Sequence, residues 1–211
     1  MAVLDIEKLY ANPDARIVLV HPGNKSRTVG LIETDFGFDI SSLFESGENL
    51  MAGTLTRGAN AVANTVGMDQ MVIRNIRETI AQWRGSTKPV FPVPLTIISY
   101  NPSIRPLDIV KEFLAGVTYT TKNGLMFGAP NGYSVTKATG NFNPDTAITG
   151  TWTLQIGQWF RATSLILVNV STQYSKEIAR STGQPLWAKV QLSFTPAYLP
   201  DEDHVRSWFI K

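Results

Sequence analysis

The chain has 211 residues with 43% hydrophobic content, 17% charged residues, a net charge of +2 and no cysteine. That length and apolar content support a real core in one large β-rich domain or two small ones. The absence of cysteine excludes a disulfide framework, thiol catalysis and cysteine zinc sites, and the small net charge gives no general argument for nucleic-acid binding. Charge below the usual quarter means that Thr, Ser, Asn and Gln build much of the surface, as in an assembly subunit or a secreted β-protein.

Taken in order, residues 1–15 read as a short amphipathic helix from Leu4 to Tyr10. They lack the basic and apolar regions of a signal peptide, so the expected site of synthesis is the cytoplasm. No apolar run reaches the roughly 20 residues of a membrane span. Arg16 to His21 is a strand closed by Pro22-Gly23-Asn24, and Val29 to Glu33 is the next, so the two read as a hairpin. Phe36 to Ile40 continues with alternating large residues. From Ser41 to Arg84 the periodicity turns helical. Leu55, Ala59, Val62 and Val66 form one stripe; Val72, Ile76, Ile80 and Trp83 form a second, in a helix from Met68 to Trp83. Arg74 and Arg77 lie on this second helix. The Pro89, Pro92 and Pro94 run marks the entry to a strand, where proline implies an edge or the first residues, with Leu95 to Tyr100 as the strand. Pro106 to Leu114 reads as a helix with Leu107, Val110 and Leu114 packed down, Phe113 beside them and Gly116 at its end. Residues 117–150 read as loops with short strands at Val117–Thr121, Leu125–Phe127 and Tyr133–Thr136. Thr151 to Gly157 is a clear strand. The acids before His204 suit a short terminal helix, where they offset the macrodipole.

The chemistry-bearing residues are few. His21 and His204 stand in no metal-ligand spacing; His21 reads as a turn residue and His204 as part of a solvated helix start. No nucleophile elbow or phosphate loop occurs. Glu33, Asp35 and Asp39 read as turn and cap residues, although glycosidase carboxylates can lie far apart in sequence. The expectation is a protein with no catalytic residue, no metal and no cofactor. Trp152 and Trp187 fit core or interface, and Trp159-Phe160 is a bulky pair.

The stretch from Trp159 to Pro196 organises the rest. Thr163 to Tyr174 reads as a long strand, with Ile166, Val168, Val170, Thr172 and Tyr174 on one face. Pro185 to Thr195 alternates cleanly: Leu186, Ala188, Val190, Leu192 and Phe194 point one way, Trp187, Lys189, Gln191, Ser193 and Thr195 the other. The link between them is too long for a two-residue turn, polar and cationic, with Lys176 and Arg180. There is no regular β-α-β alternation, so a doubly wound sheet is not expected.

The entry Gln155-Ile156-Gly157-Gln158-Trp159-Phe160, the loop ending Gly183-Gln184-Pro185-Leu186 and the strand Trp187 to Phe194 resemble the hairpin of contractile phage tail and baseplate proteins with the tail-tube fold. The entry Lys88-Pro89-Val90-Phe91-Pro92-Val93-Pro94-Leu95-Thr96-Ile97 after the insertion is similar to tube-initiator or tube-cap proteins of contractile baseplates. The resemblance spans roughly Ile17 to Pro196. It implies a mainly β protein with some α: a single tail-tube-like domain over 1–211, an antiparallel β-sandwich or barrel with a helical insertion at about 41–84 and a tail from about 197. It also implies a structural role in the virion's tail baseplate. Copies would close into a ring, hexameric in expectation, joining the central hub to the tail tube and templating tube assembly. DNA would pass through the channel without specific binding, and no membrane is involved. The candidate subunit and partner contacts are Trp159, Lys176, Arg180, Trp187, Lys189, Arg74 and Arg77. Two rivals remain: a monomeric β-sandwich binding carbohydrate or cell wall through Trp83, Trp152 or Trp187, and a hydrolase with widely spaced carboxylates.

Overall fold

The structure is a computed structural model that describes residues 12, 16–22, 27–32, 35–46, 81–99, 104–122, 124, 126–136, 147–180 and 182–210. The chain divides into two compact units, Met1–Asp39 with Lys88–Lys211, and Ile40–Thr87. The expected helix from Leu4 to Tyr10 and the first insertion stripe lie outside the described residues.

In the larger unit, six antiparallel strands close a barrel. They are β1 (Arg16–Val20), β2 (Arg27–Ile32), β5 (Phe91–Ile98), β10 (Trp152–Ile156), β11 (Phe160–Tyr174) and β12 (Trp187–Pro196), arranged β1-β10-β11-β12-β5-β2. Each strand sends alternate side chains inward, and the inward set is apolar: Ile17 and Leu19; Phe91, Val93, Leu95 and Ile97; Leu154 and Ile156; Ala188, Val190, Leu192 and Phe194. The alternation expected of β12 is the one observed.

β11 departs from simple alternation. Trp152 faces Leu165 while Leu154 faces Ala162, so β11 spends one extra residue at Thr163-Ser164. Leu167 faces Phe194 while Asn169 faces Ser193, so Val168 is a second extra residue. Each bulge moves the following side chains to the opposite face. The inward residues are therefore Phe160 and Ala162, then Leu165 and Leu167, then Val170. This corrects the expected face of Ile166, Val168 and Val170: Val168 is 58% exposed at the second bulge. Ser164 takes a φ of 55° at the first. Its carbonyl accepts the Ala197 N–H at 2.9 Å, which anchors this costly conformation.

β5 starts earlier than expected and includes its prolines. The Ser99 N–H donates to the Leu186 carbonyl at 2.8 Å. Counting back along an unbroken register, the odd residues direct their N–H groups to β12 and the even ones away. Pro92 and Pro94 therefore lack only donors that would face the β2 side, where among the described residues β2 pairs with β5 through Leu31 and Ile32.

One end of the barrel is filled with aromatic rings. Phe91 lies 5.7 Å from Phe160 and 5.2 Å from Trp208, and Phe38 packs at 4.8 Å on Phe91. Phe36 and Phe38 belong to no strand but cover this cluster. Trp152 is 1% exposed, between Phe113, Phe194 and His21. Helix α1 (Pro106–Ala115) buries Pro106, Val110 and Phe113. Leu114, expected to pack down, is 39% exposed, and Phe113 takes its place. Gly116 ends α1 in right-handed conformation. A Cβ there would meet Trp152 Cζ2 at 2.9 Å, so close packing and not a left-handed cap requires glycine.

Two small ribbons follow α1: β6 (Thr120–Lys122) with β7 (Met126–Gly128), and β8 (Ser134–Val135) with β9 (Ile148–Thr149). Helix α2 (Glu202–Ser207) lies near the C-terminus. In the smaller unit, β3 (Ser42–Ser46) pairs with β4 (Ala81–Ser86), and Thr87 N–H donates to the Ser41 carbonyl at 2.9 Å. The ends of the insertion are thus strands, a correction to the helix expected through Trp83. Trp83 completes a helical stripe in sequence but pairs across the ribbon with Phe44, and this cross-strand contact overrides the local periodicity.

The helix face has a direct test. Phe113→Ala is expected to lower the unfolding free energy by about 3–5 kcal/mol, as for buried aromatics. Leu114→Ala is expected to cost under about 1 kcal/mol. Urea unfolding of both variants checks this, and the reverse order would overturn the assigned face.

Candidate interaction surfaces

β10 covers β11 only as far as Leu165, whereas β12 follows it to Tyr174. Among the described residues, no strand pairs with the other edge of β11 from Ile166 to Tyr174. The Ser175 N–H donates to the Trp187 carbonyl at 3.0 Å, so Gln173, Ser171 and Asn169 direct their backbone groups to β12. Val170, Thr172 and Tyr174 direct theirs outward. This is a free row of donors and acceptors on a neutral strand, without the charge or proline that usually protects an edge.

Beyond Tyr174 the chain forms an ordered tip. Ser175 Oγ donates to the Glu177 carbonyl at 2.7 Å. The Ala179 N–H donates to the Gln184 carbonyl at 2.8 Å and the Leu186 N–H to the Glu177 carbonyl at 3.0 Å. Ile178 bridges to Pro185. Gly183 turns the chain at a φ of 66°, which only glycine adopts at little cost. Lys176 and Arg180 are exposed on this tip, and Ile178 between them is 61% exposed.

The other end of β11 carries a different surface. Trp159 is 45% exposed and stacks on Phe209 at 6.5 Å. The Ile210 N–H donates to the Trp159 carbonyl at 2.9 Å, and Phe209 bridges to Phe160. Phe209 and Ile210 are exposed beside them, and Leu199 is exposed earlier in the C-terminal segment. The segment reaches this place through α2. Asp201 caps α2, accepting the His204 N–H at 2.8 Å, and His204 Nδ1 lies 2.6 Å from the same oxygen. The backbone hydrogen bond from His204, followed by its side-chain bond, holds the Asp201 carboxyl below its ordinary range. Glu202 pairs with Arg206 one turn on, and Asp203 is exposed.

The residues singled out in the sequence therefore separate. Trp159 sits at one end of β11, and Lys176 and Arg180 at the other. Trp187 and Lys189 share the outward face of β12, with Lys189 Nζ 5.8 Å from the Trp187 ring. Arg74 and Arg77 lie outside the described residues. Trp152 is core, which removes it as a ligand platform. His21 is not turned to solvent. Its ring meets Trp152 at 4.7 Å, and Nε2 lies 3.8 Å from Glu112. A groove of about 280 Å³ on the barrel's outer side is lined by Asp35, Pro92, Pro94, Asn169, Gln191 and Ser193 among others. Among the described residues of that lining, Asp35 is the single carboxylate. The sequence reading missed Ile178, Phe209 and Ile210. An isolated isoleucine in a polar loop and an apolar C-terminus were their only signals. No protein-family model and no curated protein matches the chain.

The cap gives a pH prediction. A lowered carboxyl contributes stability that is complete above its unfolded value of 3.8 and fades as the pH falls through its folded value. Acidification below about pH 4 is expected to fray α2 first, and Asp201→Ala to fray it already at neutral pH. Hydrogen exchange of the His204 amide checks this; a wild-type amide equally protected at pH 2 and pH 7 would overturn the assigned cap.

Proposed function

We propose that this protein is a structural subunit of a contractile phage tail baseplate, forming a ring that joins the central hub to the tail tube and templates tube assembly. The open edge of β11 carries the proposal. A neighbouring copy that adds a strand there pairs the outward groups of Val170, Thr172 and Tyr174 and removes the edge. Repeated around an axis, such a contact closes a ring, hexameric by the resemblance, whose β-sheet wall surrounds a channel. The mainly β barrel, the long hairpin and the sequence patterns around Gln155–Phe160 and Gly183–Leu186 support this reading. The neutral side chains Ser171, Gln173, Gln191 and Ser193 suit a wall past which DNA slides without specific binding. The protein's place is then the virion's baseplate, with tube and hub proteins as partners, and its role requires no catalysis.

The edge assignment is tested by two proline variants. Thr172→Pro removes an N–H that faces outward, so the monomer is expected to keep its melting midpoint within about 4 °C while ring formation is lost. Ser171→Pro removes an N–H committed to β12 and is expected to destabilise the monomer itself. Solution mass over a concentration series and negative-stain images read both. Thr172→Pro rings indistinguishable from wild type would overturn the edge contact. A wild type that stays monomeric and neither seeds nor caps the cognate tube would move the assignment to the carbohydrate-binding module.

A further inference from the structure

We infer that the strand pairing along the free edge of β11 is β3 of a neighbouring copy, so that the ribbon of one chain extends the barrel sheet of the next. The inference rests on the ring proposed above and names the half of its contact that β11 does not supply. Two β11 edges paired with each other form a two-fold contact that closes at two copies. A ring needs a heterologous contact, and therefore a second, different edge on the same chain.

Few described strands can offer that edge. β1, β10 and β12 have a neighbour on each side in the closed barrel. The stretch of β5 without a described partner holds Pro92 and Pro94. β2 is without a described partner on its β5 side only over Arg27–Gly30. The ribbons β6–β7 and β8–β9 have strands of three and two residues. β3 and β4 form a two-stranded sheet, so each has an outer edge among the described residues. β4 is the poorer of the two. Leu43 faces Gly85 while Phe44 faces Trp83, which makes Arg84 an extra, charged residue in a bulge. Bulges and charges both blunt an edge. β3 has no extra residue and no proline.

The edges of β3 and β11 match in length and in kind. The Thr87 N–H donates to the Ser41 carbonyl, so Ser41, Leu43 and Glu45 direct their backbone groups to β4. Ser42, Phe44 and Ser46 direct theirs outward. They stand against Val170, Thr172 and Tyr174, two rows of three with the same spacing. Residues directly opposite share a face of the sheet. With the rows centred on each other, Phe44 lies opposite Thr172, on the core side of β11 and between Val170 and Tyr174. Phe44 is 61% exposed in the single chain, and Tyr174 is exposed as well. The same pairing satisfies the backbone row and covers both rings.

The chain has no cysteine, so engineered ones report the contact directly. Two full-length single variants with different affinity tags, Ser42→Cys and Tyr174→Cys, are mixed, assembled and mildly oxidised. Opposite residues of paired strands place their Cα atoms within disulfide reach. Antiparallel addition links Ser42→Cys to Tyr174→Cys, and parallel addition links it to Val170→Cys. The matching mixed dimer is expected at roughly tenfold the yield given by Leu43→Cys, whose side chain takes the other face of β3. Phe44→Asp is expected to keep the wild-type circular dichroism spectrum and melting midpoint and to lose rings. Mixed with Thr172→Pro, it is expected to recover pairs only, because one chain keeps the β11 edge and the other keeps β3. Rings that persist in folded Phe44→Asp, without either mixed disulfide, overturn the assignment to β3 and leave the ring standing. Mixed disulfides without rings keep this contact and defeat the ring. A Tyr174→Cys chain that links to its own kind shows the two-fold β11 pairing and overturns both, as does a chain that neither forms rings nor cross-links. A disulfide formed within one doubly substituted chain at high dilution, and not between copies, also overturns the inference.

Discussion

The two extra residues in β11 are the constraint on which the barrel depends. A strand that pairs first with β10 and then with β12 must bend as it changes neighbours, and it must keep apolar side chains inward throughout. Without the bulge at Ser164, the register with β10 would turn Leu165 and Leu167 to solvent. Without the one at Val168, Val170 would leave the core it packs against. Ser164 holds a left-handed backbone for this purpose, and the Ala197 N–H on its carbonyl ties the start of the C-terminal segment to the bulge. The segment then runs through α2 to Trp208, which enters the same aromatic cluster as Phe91 and Phe160. The bend in one strand thus fixes where the C-terminal segment docks.

Much of this was legible in the sequence because β12, β1 and β10 obey a single period. The strict alternation of Ala188, Val190, Leu192 and Phe194 reads directly as a buried face. β11 was read as a long strand with one unbroken period, whereas a bulge resets the period and leaves no mark in composition: Val168 looks like a core residue and is the inserted one. Trp83 was misread for a related reason. Helical spacing is a local signal, and its partner Phe44 lies far back in the chain. Leu114 and Phe113 differ by one position on the same helix, and only the location of Trp152 decides which is buried. The prolines of β5 carried their meaning openly, since a residue with no N–H belongs where no donor is needed.

The surfaces were less legible than the core. Hydrophobic patterning reports which side of a strand meets the interior, but not which edge lacks a neighbour. The free edge of β11 exists because β10 is short and β12 is long, a comparison of lengths after pairing. The sequence did place Trp159, Lys176 and Arg180 on exposed positions at the hairpin. It could not show that the strand sets them at opposite ends, or that Phe209 and Ile210 return beside Trp159.

The barrel itself argues that the β11 edge is meant to be used. Among the described residues, a second stretch of edge has no ladder partner, on β5 from Phe91 to Pro94, beyond the last pair with β2. That stretch is closed to further pairing by Pro92 and Pro94, whose missing donors are those that would have faced outward. A fold that blocks one edge in this way and leaves the longer one fully equipped has treated the two differently. Along the longer edge no charge or proline interrupts the row of outward groups at Val170, Thr172 and Tyr174. In a chain with so few charges, solubility cannot come from a highly charged surface around such an edge. In the proposed ring, pairing it with another copy would remove the hazard and build the sheet in the same step.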